Sequence, residues 1–339
     1  MNEEMNSVIK NYSFKGVNCV KMEHGRYSCV VAPSMGASVL RFRDDENKID
    51  IFRYNENVSA EEIDSAREIW GLPTLYLPNR FDGGVVKTSD AEYHLPVNET
   101  QFNNHIHGWV HKRAHVIESV SDEGDKCVLV TSFTHNSSDE MYSCFPVDYK
   151  ISYTFTLDDN GLTQDIDLTN LSDKALPVSI CTHTTIRSPM VDGGDENELE
   201  LIVPIGKRCE LNERCLPTER LLELNDWDKE YLTGKLPTIQ ELDNDMYTAQ
   251  MNKLDGKDFY GVIVKDKTHG TMVINEVSPE FKFWNMWNHN GVNHYFCPEP
   301  MTAMINCMNL SLPDEVTGYC AITKGQTYHC RQRFATLKK

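Results

Sequence analysis

The chain reads as a mainly β protein built as a large antiparallel sandwich, and three observations predict it. Residues 127–186 fall into strand-length stretches separated by polar turns. Two of these stretches are joined by Asp158-Asp159-Asn160-Gly161, whose Asn-Gly step suits a tight hairpin. Only one stretch in the first half carries a clear helix-start signature. Sequential strands linked by polar turns make a meander, the usual component of an antiparallel sandwich. No clean linker or fixed-period repeat divides the chain, so a single domain is expected over residues 1–339.

Taken in order, residues 27–31 and 38–43 read as strands joined through the turn-rich Pro33-Ser34-Met35-Gly36. Ser59-Ala60-Glu61-Glu62 has the form of a capping box, and helix formers follow to about Trp70, where Gly71-Leu72-Pro73 ends them. A loop at residues 77–84 then carries an Asn79-Arg80 pair. An arginine there offers a planar fork of donors suited to ligand hydroxyls.

Residues 103–109 gather Asn103, Asn104, His105, His107, Gly108 and Trp109. On a strand His105 and His107 would share a face, and Gly108 would let a ligand or another backbone approach. Imidazoles titrate nearest neutrality, so the cluster suits proton transfer or metal binding. His111 and His115 follow His107 at intervals of four, and on a helix the three could hold a metal. Trp109-Val110 and Val116-Ile117 look more like strand, however. A cupin-type metal site would need a Glu just beyond the His-x-His, and none is there.

Residues 127–133, 148–157, 162–168 and 176–186 are expected strands, the last running through His183. An acidic loop at residues 191–196 reads as a solvated connection. Further strands are expected at 200–205, 259–264 and 271–277, with a short helix at the start of the polar stretch 218–245. Residues 281–288 alternate aromatic and polar side chains. Glu299 follows between Pro298 and Pro300, a stiff backbone that suits a fixed catalytic carboxylate. The last strands are expected near 303–311, 318–323 and 327–334.

Composition narrows the function. The 339 residues carry 33 Lys and Arg against 51 Asp and Glu, a formal net charge of -18. That balance disfavours nucleic acid and anionic membranes, which require clustered cations. No apolar run approaches the roughly 20 residues needed to span a bilayer. The polar, acidic start is unlike a secretory signal, and a cytoplasmic protein is expected. Eleven cysteines without a CxxC pair read as reduced core residues, not a disulfide framework or a zinc ribbon. Nothing in the pattern specifies an oligomeric state.

The ordered set Asn79-Arg80, His107-Gly108, His183-Thr184 and Glu299-Pro300 resembles the aldose 1-epimerase (mutarotase) family. The resemblance runs from about Tyr27 to the final strands. It implies the galactose mutarotase-like supersandwich, a monosaccharide substrate and no cofactor or metal. By the same resemblance Glu299 is the general base, His183 the general acid and His107 a second assisting imidazole. Asn79, Arg80, Asp245, Asn285 and Trp109 are expected at the sugar. Asp243 competes with Asp245 for one position, and Asn285 stands where the family usually has Gln. Two features depart from the pattern: Arg187, where the family continues with an aromatic-Asn-Leu run, and the stretch between Ile49 and Leu72, which looks specific to a subgroup.

Anomer interconversion opens a cyclic hemiacetal, rotates the aldehyde and closes the ring on its other face. Opening requires one proton taken from the anomeric hydroxyl and one given to the ring oxygen, so a carboxylate and an imidazolium on opposite sides of the sugar would serve. Trp109, Trp284 and Trp287 could offer apolar faces to sugar C–H groups. Three other functions remain open on the residues. A non-catalytic carbohydrate-binding protein would keep the aromatics and Arg80. A sugar-phosphate epimerase would enlist Arg80 and Arg187. A glycoside hydrolase or lyase would pair Glu299 with Asp243 or Asp245.

Overall fold

The hairpin expected around residues 158–161 organises the larger of the protein's layers. Tyr149–Asp158 and Gly161–Asn170 pair antiparallel from end to end across a two-residue turn. Buried and half-buried side chains alternate along both strands, as a sheet with one face on the core demands. The left-handed backbone falls on Gly161 (φ 110°), where a Cβ would stand 2.0 Å from the Phe334 carbonyl oxygen. The structure, a computed structural model, describes residues 7–238, 242 and 245–338.

Two eight-stranded sheets make the sandwich. The first runs Val116–Asp122, Cys127–His135, Tyr149–Asp158, Gly161–Asn170, Thr327–Lys338, Thr271–Val277, Gly261–Asp266 and Leu199–Ile202. The second runs Pro217–Leu222, Ile205–Leu211, Asp245–Ala249, Phe283–Trp287, Tyr295–Met301, Ile180–Thr182 and Thr74–Tyr76, with Ile186–Arg187 added against Tyr295–Met301. Pairing is antiparallel within both. A five-stranded sheet formed by residues 7–50 packs beside them, with Tyr27 Oη 3.0 Å from Thr336 Oγ1.

The facing sheets share one apolar core, in which Tyr76 meets Tyr149 edge-on at 5.1 Å. A polar chain also crosses it. Gln164 donates to Thr74 at 3.0 Å, Gln332 donates to Gln164 at 2.8 Å, and Thr182 donates to Gln332 at 3.1 Å. Buried amides and hydroxyls cost stability unless partnered, so this chain fixes how the sheets register on one another.

Several expected elements differ in detail. Ser59 and Glu62 form the capping box, but the α-helix is only Ala60–Ser65, because Ala66 leaves helical geometry (φ -147°, ψ 53°) and a 3-10 turn, Arg67–Ile69, follows. The expected strand 176–186 is broken into Leu176–Val178, Ile180–Thr182 and Ile186–Arg187. Residues 217–222 are strand, and the short helix lies later, at Asp226–Lys229, capped by Asn225. Residues 303–311 hold a 3-10 turn instead of a strand. Val110–Lys112 is likewise a 3-10 turn. The acidic loop is more than a solvated connection, since Asp192 pairs with Arg187 at 2.8 Å. None of the eleven cysteines is in a disulfide, and eight of them are buried. Among the described residues no helix is long and apolar enough to cross a membrane.

Candidate active site

Glu299 sits in Tyr295–Met301, a strand whose every residue is buried. On one side this strand is paired without interruption to Phe283–Trp287. On the other side its partner is broken: Ile186–Arg187 pairs with it up to Phe296, and Ile180–Thr182 meets it only at Met301. Prolines have no N–H for a ladder, and Pro298 and Pro300 fall within this gap. The gap is also where residues 183–185 leave the sheet, which puts His183 beside Glu299. His183 Nε2 lies 3.5 Å from Glu299 Oε1.

The Asn-Arg and His-Gly motifs reach the same place through a short ladder. Arg80–Asp82 pairs with Asn104–Ile106, and the His107 amide donates to the Asn79 carbonyl at 2.9 Å. Strand geometry ends at Ile106. Asn79 and His107 both adopt left-handed backbone, φ 54° and 68°. Such backbone is costly for a non-glycine residue, least so for Asn, and is held here by the surrounding ladder. Because of this turn His105 and His107 do not share a surroundings: His105 is buried with Nδ1 2.7 Å from the Pro96 carbonyl oxygen. Gly108 (φ 59°) is required by a backbone, since a Cβ there would lie 2.1 Å from the Tyr76 carbonyl oxygen.

These residues line one cavity of about 400 Å³, with Asn79, Arg80, Glu99, Ile106, His107, His183, Trp287 and Glu299 in its wall. The His183 ring stands edge-on between His107 and Trp287, at 5.6 and 5.7 Å. Arg80 is held by a two-point ion pair with Glu99, its Nε and Nη2 each donating at 2.9 Å. Asn104 donates to the same carboxylate at 3.1 Å. The arginine's charge is therefore neutralised within the protein.

Burial sets the protonation of the central pair. It pushes the Glu299 carboxyl up to about 8, against the opposing pull of the Asn285 and Cys181 hydrogen bonds and the Arg80 charge. It pushes His183 down to about 4. His107 is driven well below the usual imidazole range by burial, with repulsion from His183 adding to it. In the neutral range the pair thus carries one acidic proton, resting on the carboxyl.

The remaining expected residues are elsewhere. Asn285 is the cross-strand neighbour of Glu299 and hydrogen-bonds its carboxyl group, 1% exposed, so it holds Glu299 in place without lining the cavity. Trp109 is buried against His135 and Phe145, ring centroids 5.4 and 5.8 Å away, and the indole at the cavity is Trp287. Trp284 is fully buried in the core. Asp245 pairs with Arg208 at 2.5 Å, away from this cavity, and Asp243 lies outside the described residues. The substrate contacts expected of Trp109 and Asp245 are therefore not provided from these positions. Glu99 was missed, because Asn98-Glu99-Thr100-Gln101 reads as an ordinary polar turn; its buried arginine partner is the only signal.

The His105, His107, His111 and His115 series does not converge. His111 lies 3.8 Å from Glu68, and His115 stacks on Tyr153 at 4.7 Å. Among the described residues, the set with ligand atoms close enough for a metal is His183, Cys297 and Glu299, all within 4.8 Å of one another.

The sequence profile described as aldose 1-epimerase matches residues 18–335. The chain belongs to the aldose 1-epimerase family. Among solved structures, this aldose 1-epimerase family member is similar to a galactose mutarotase-like protein from Clostridium acetobutylicum. The two are 25% identical with a TM-score of 0.93, over 99% of this chain and 98% of that one. A putative aldose 1-epimerase from Escherichia coli K12 is 17% identical with a TM-score of 0.72, over 94% of this chain and 98% of that one. Galactose 1-epimerase from Lactobacillus acidophilus NCFM is 15% identical with a TM-score of 0.71, over 98% of this chain and 99% of that one. The fold is the galactose mutarotase-like β-sandwich that the ordered motifs imply.

Proposed function

We propose that the protein interconverts the α and β anomers of a free aldose, with Glu299 and His183 exchanging protons with the sugar. The observation that carries this reading is the 3.5 Å separation of His183 Nε2 and Glu299 Oε1 in one cavity. The anomeric hydroxyl oxygen and the ring oxygen of a hemiacetal are bonded to the same carbon. Two groups as close together as these can therefore each reach one of the two oxygens from the same wall of the cavity. One group takes the hydroxyl proton while the other protonates the ring oxygen; after rotation of the aldehyde the transfers run in reverse. His107 orients the sugar beside His183, and Asn79 and Arg80 bind its hydroxyls. Trp287 offers an apolar face to the C–H groups.

The charge at the cavity favours a free sugar over a sugar phosphate. Arg80 is already neutralised by Glu99, and Arg187 is paired with Asp192. A phosphate monoester carries about two negative charges and calls for unpaired Arg or Lys. The hydrolase reading is weakened because Asp245 is committed to Arg208. The test is polarimetry, or NMR exchange between anomers, over a panel of hexoses, pentoses and deoxy sugars. Acceleration of none of them would overturn the proposal. Binding without acceleration would make the protein a carbohydrate-binding module.

A further inference from the structure

A second cavity, about 1020 Å³, adjoins the first: Ile69 lines the smaller one and the next residue, Trp70, lines the larger. Residues 12–45 of the five-stranded sheet make one part of its wall, and the two features that depart from the family pattern, the stretch between Ile49 and Leu72 and the residue Arg187, contribute to the rest. Its charges are mostly closed on one another. Asp50, 1% exposed, accepts Nε and Nη2 of Arg41 at 2.6 and 3.0 Å, and Arg43 donates to it as well. Lys21 pairs with Glu23, and Arg187 with Asp192.

Arg53 is different. It lines the same cavity and, among the described residues, no carboxylate pairs with it. Its guanidinium lies over Trp70 at 3.8 Å and over Tyr295 at 4.3 Å. It makes one side-chain hydrogen bond, Nη1 to the Ile69 carbonyl at 3.2 Å, of the five donors such a group carries. One cation is thus fixed in place by aromatic faces and left open to a ligand.

The occupant can be read from the walls. A polyanion is disfavoured, since every other arginine or lysine lining the cavity is neutralised and the chain carries a net charge of -18. An apolar ligand would strand the charged network. Arg41 lies over one face of Tyr54 at 4.1 Å and Arg53 over one face of Trp70 at 3.8 Å, and these stacked planar charges and rings match a ligand ring with hydroxyl edges and C–H faces. The volume stands at the top of the roughly 300–1,000 Å³ of small-molecule sites, which suits two sugar units. We propose that this cavity is a second carbohydrate site, taking a saccharide of about two units whose single acidic group pairs with Arg53.

The test is calorimetric titration of the whole protein with cellobiouronic acid, uncharged cellobiose and cellobiose 6′-phosphate. An acidic probe should bind at least ten-fold more tightly than cellobiose. Arg53→Gln should remove that advantage, whereas Glu299→Gln should leave it intact. Should Arg53→Gln not fold, Tyr54→Ala, on the half-exposed rim, should weaken both probes while Glu299→Gln does not. Tighter binding of the phosphate than of the uronate would identify the acidic group and leave the site standing. Equal binding of charged and uncharged probes, no binding of any, or a loss that follows Glu299→Gln would each overturn the proposal.

Discussion

His183 and Glu299 face each other at 3.5 Å with side chains only 4% and 2% exposed. With burial pushing the carboxyl up to about 8 and the imidazole down to about 4, the pair holds one acidic proton between those values. Below about 4 the imidazole gains a proton while the carboxyl keeps its own, so no base is left. Above about 8 the carboxylate forms beside a neutral imidazole, and no acid is left. The kcat/KM of mutarotation, which reports the free enzyme, should therefore be level between about 4 and 8 and fall on both sides. A profile that climbs steadily through that range is incompatible with the pair as the acid and base.

Glu299→Gln should lower kcat by on the order of 10²–10⁴-fold, the range for a general acid–base group, and His183→Asn should do likewise. The glutamine variant should also be more stable than the parent at high pH. The folded carboxyl titrates near 8 and the unfolded one near 4.5, so ionisation works against the fold as pH rises through that window. The stability gap should widen by up to roughly 1.4 kcal/mol per pH unit there and then level off. Urea unfolding of both proteins at pH 5 and pH 9 measures it; a gap of the same size at both would remove the burial argument.

Arg80 and Glu99 form a buried pair, and breaking one side strands the other. Glu99→Gln should cost about 3–5 kcal/mol of stability, the usual penalty for an unpaired buried charge. It should also raise KM by freeing Arg80 from its fixed position. Denaturant unfolding and steady-state kinetics check the two effects separately. Unchanged stability would mean that the pair is solvated in solution.

Gly108→Ala and Gly124→Ala separate crowding from backbone strain. Both glycines have positive φ, 59° and 87°. A Cβ at Gly124 meets nothing within 4 Å, whereas at Gly108 it would overlap the Tyr76 carbonyl. The Gly124 variant should lose only about 1 kcal/mol, the scale of αL strain. The Gly108 variant should lose far more and be inactive, because the backbone that aims His107 has to move. Similar melting temperatures for the two would contradict the close approach.

Activity should survive dialysis against a strong chelator, since proton transfer by Glu299 and His183 needs no metal. Activity lost to the chelator and restored by a divalent ion would instead assign catalysis to the His183, Cys297 and Glu299 set.

What was legible in the sequence follows how local the cause is. The hairpin at residues 149–170 announces itself through alternation and a turn, both contained in adjacent residues. Glu299 is legible through its flanking prolines, and His107 through Gly108. The broken strand that projects His183 is not, because the break answers to a gap left by a strand over a hundred residues away. Glu99 is invisible for the same reason: only the fold buries it against Arg80. Trp109 misleads because a tryptophan beside a histidine motif looks the same whether its ring turns to a cavity or to Phe145. Asp245 misleads because Arg208, its partner, lies 37 residues back.

The Thr327–Lys338 strand lies inside the first sheet, hydrogen-bonded to Gly161–Asn170 on one side and Thr271–Val277 on the other. A chain still emerging from the ribosome therefore presents two exposed strand edges with nothing between them. The sheet cannot close until residue 338 has cleared the exit tunnel. Until then Gly161–Asn170 offers a row of unpaired amides and carbonyls to any neighbouring chain, the condition under which β proteins aggregate. Thr327–Lys338 thus decides when the two halves of the first sheet can join during synthesis.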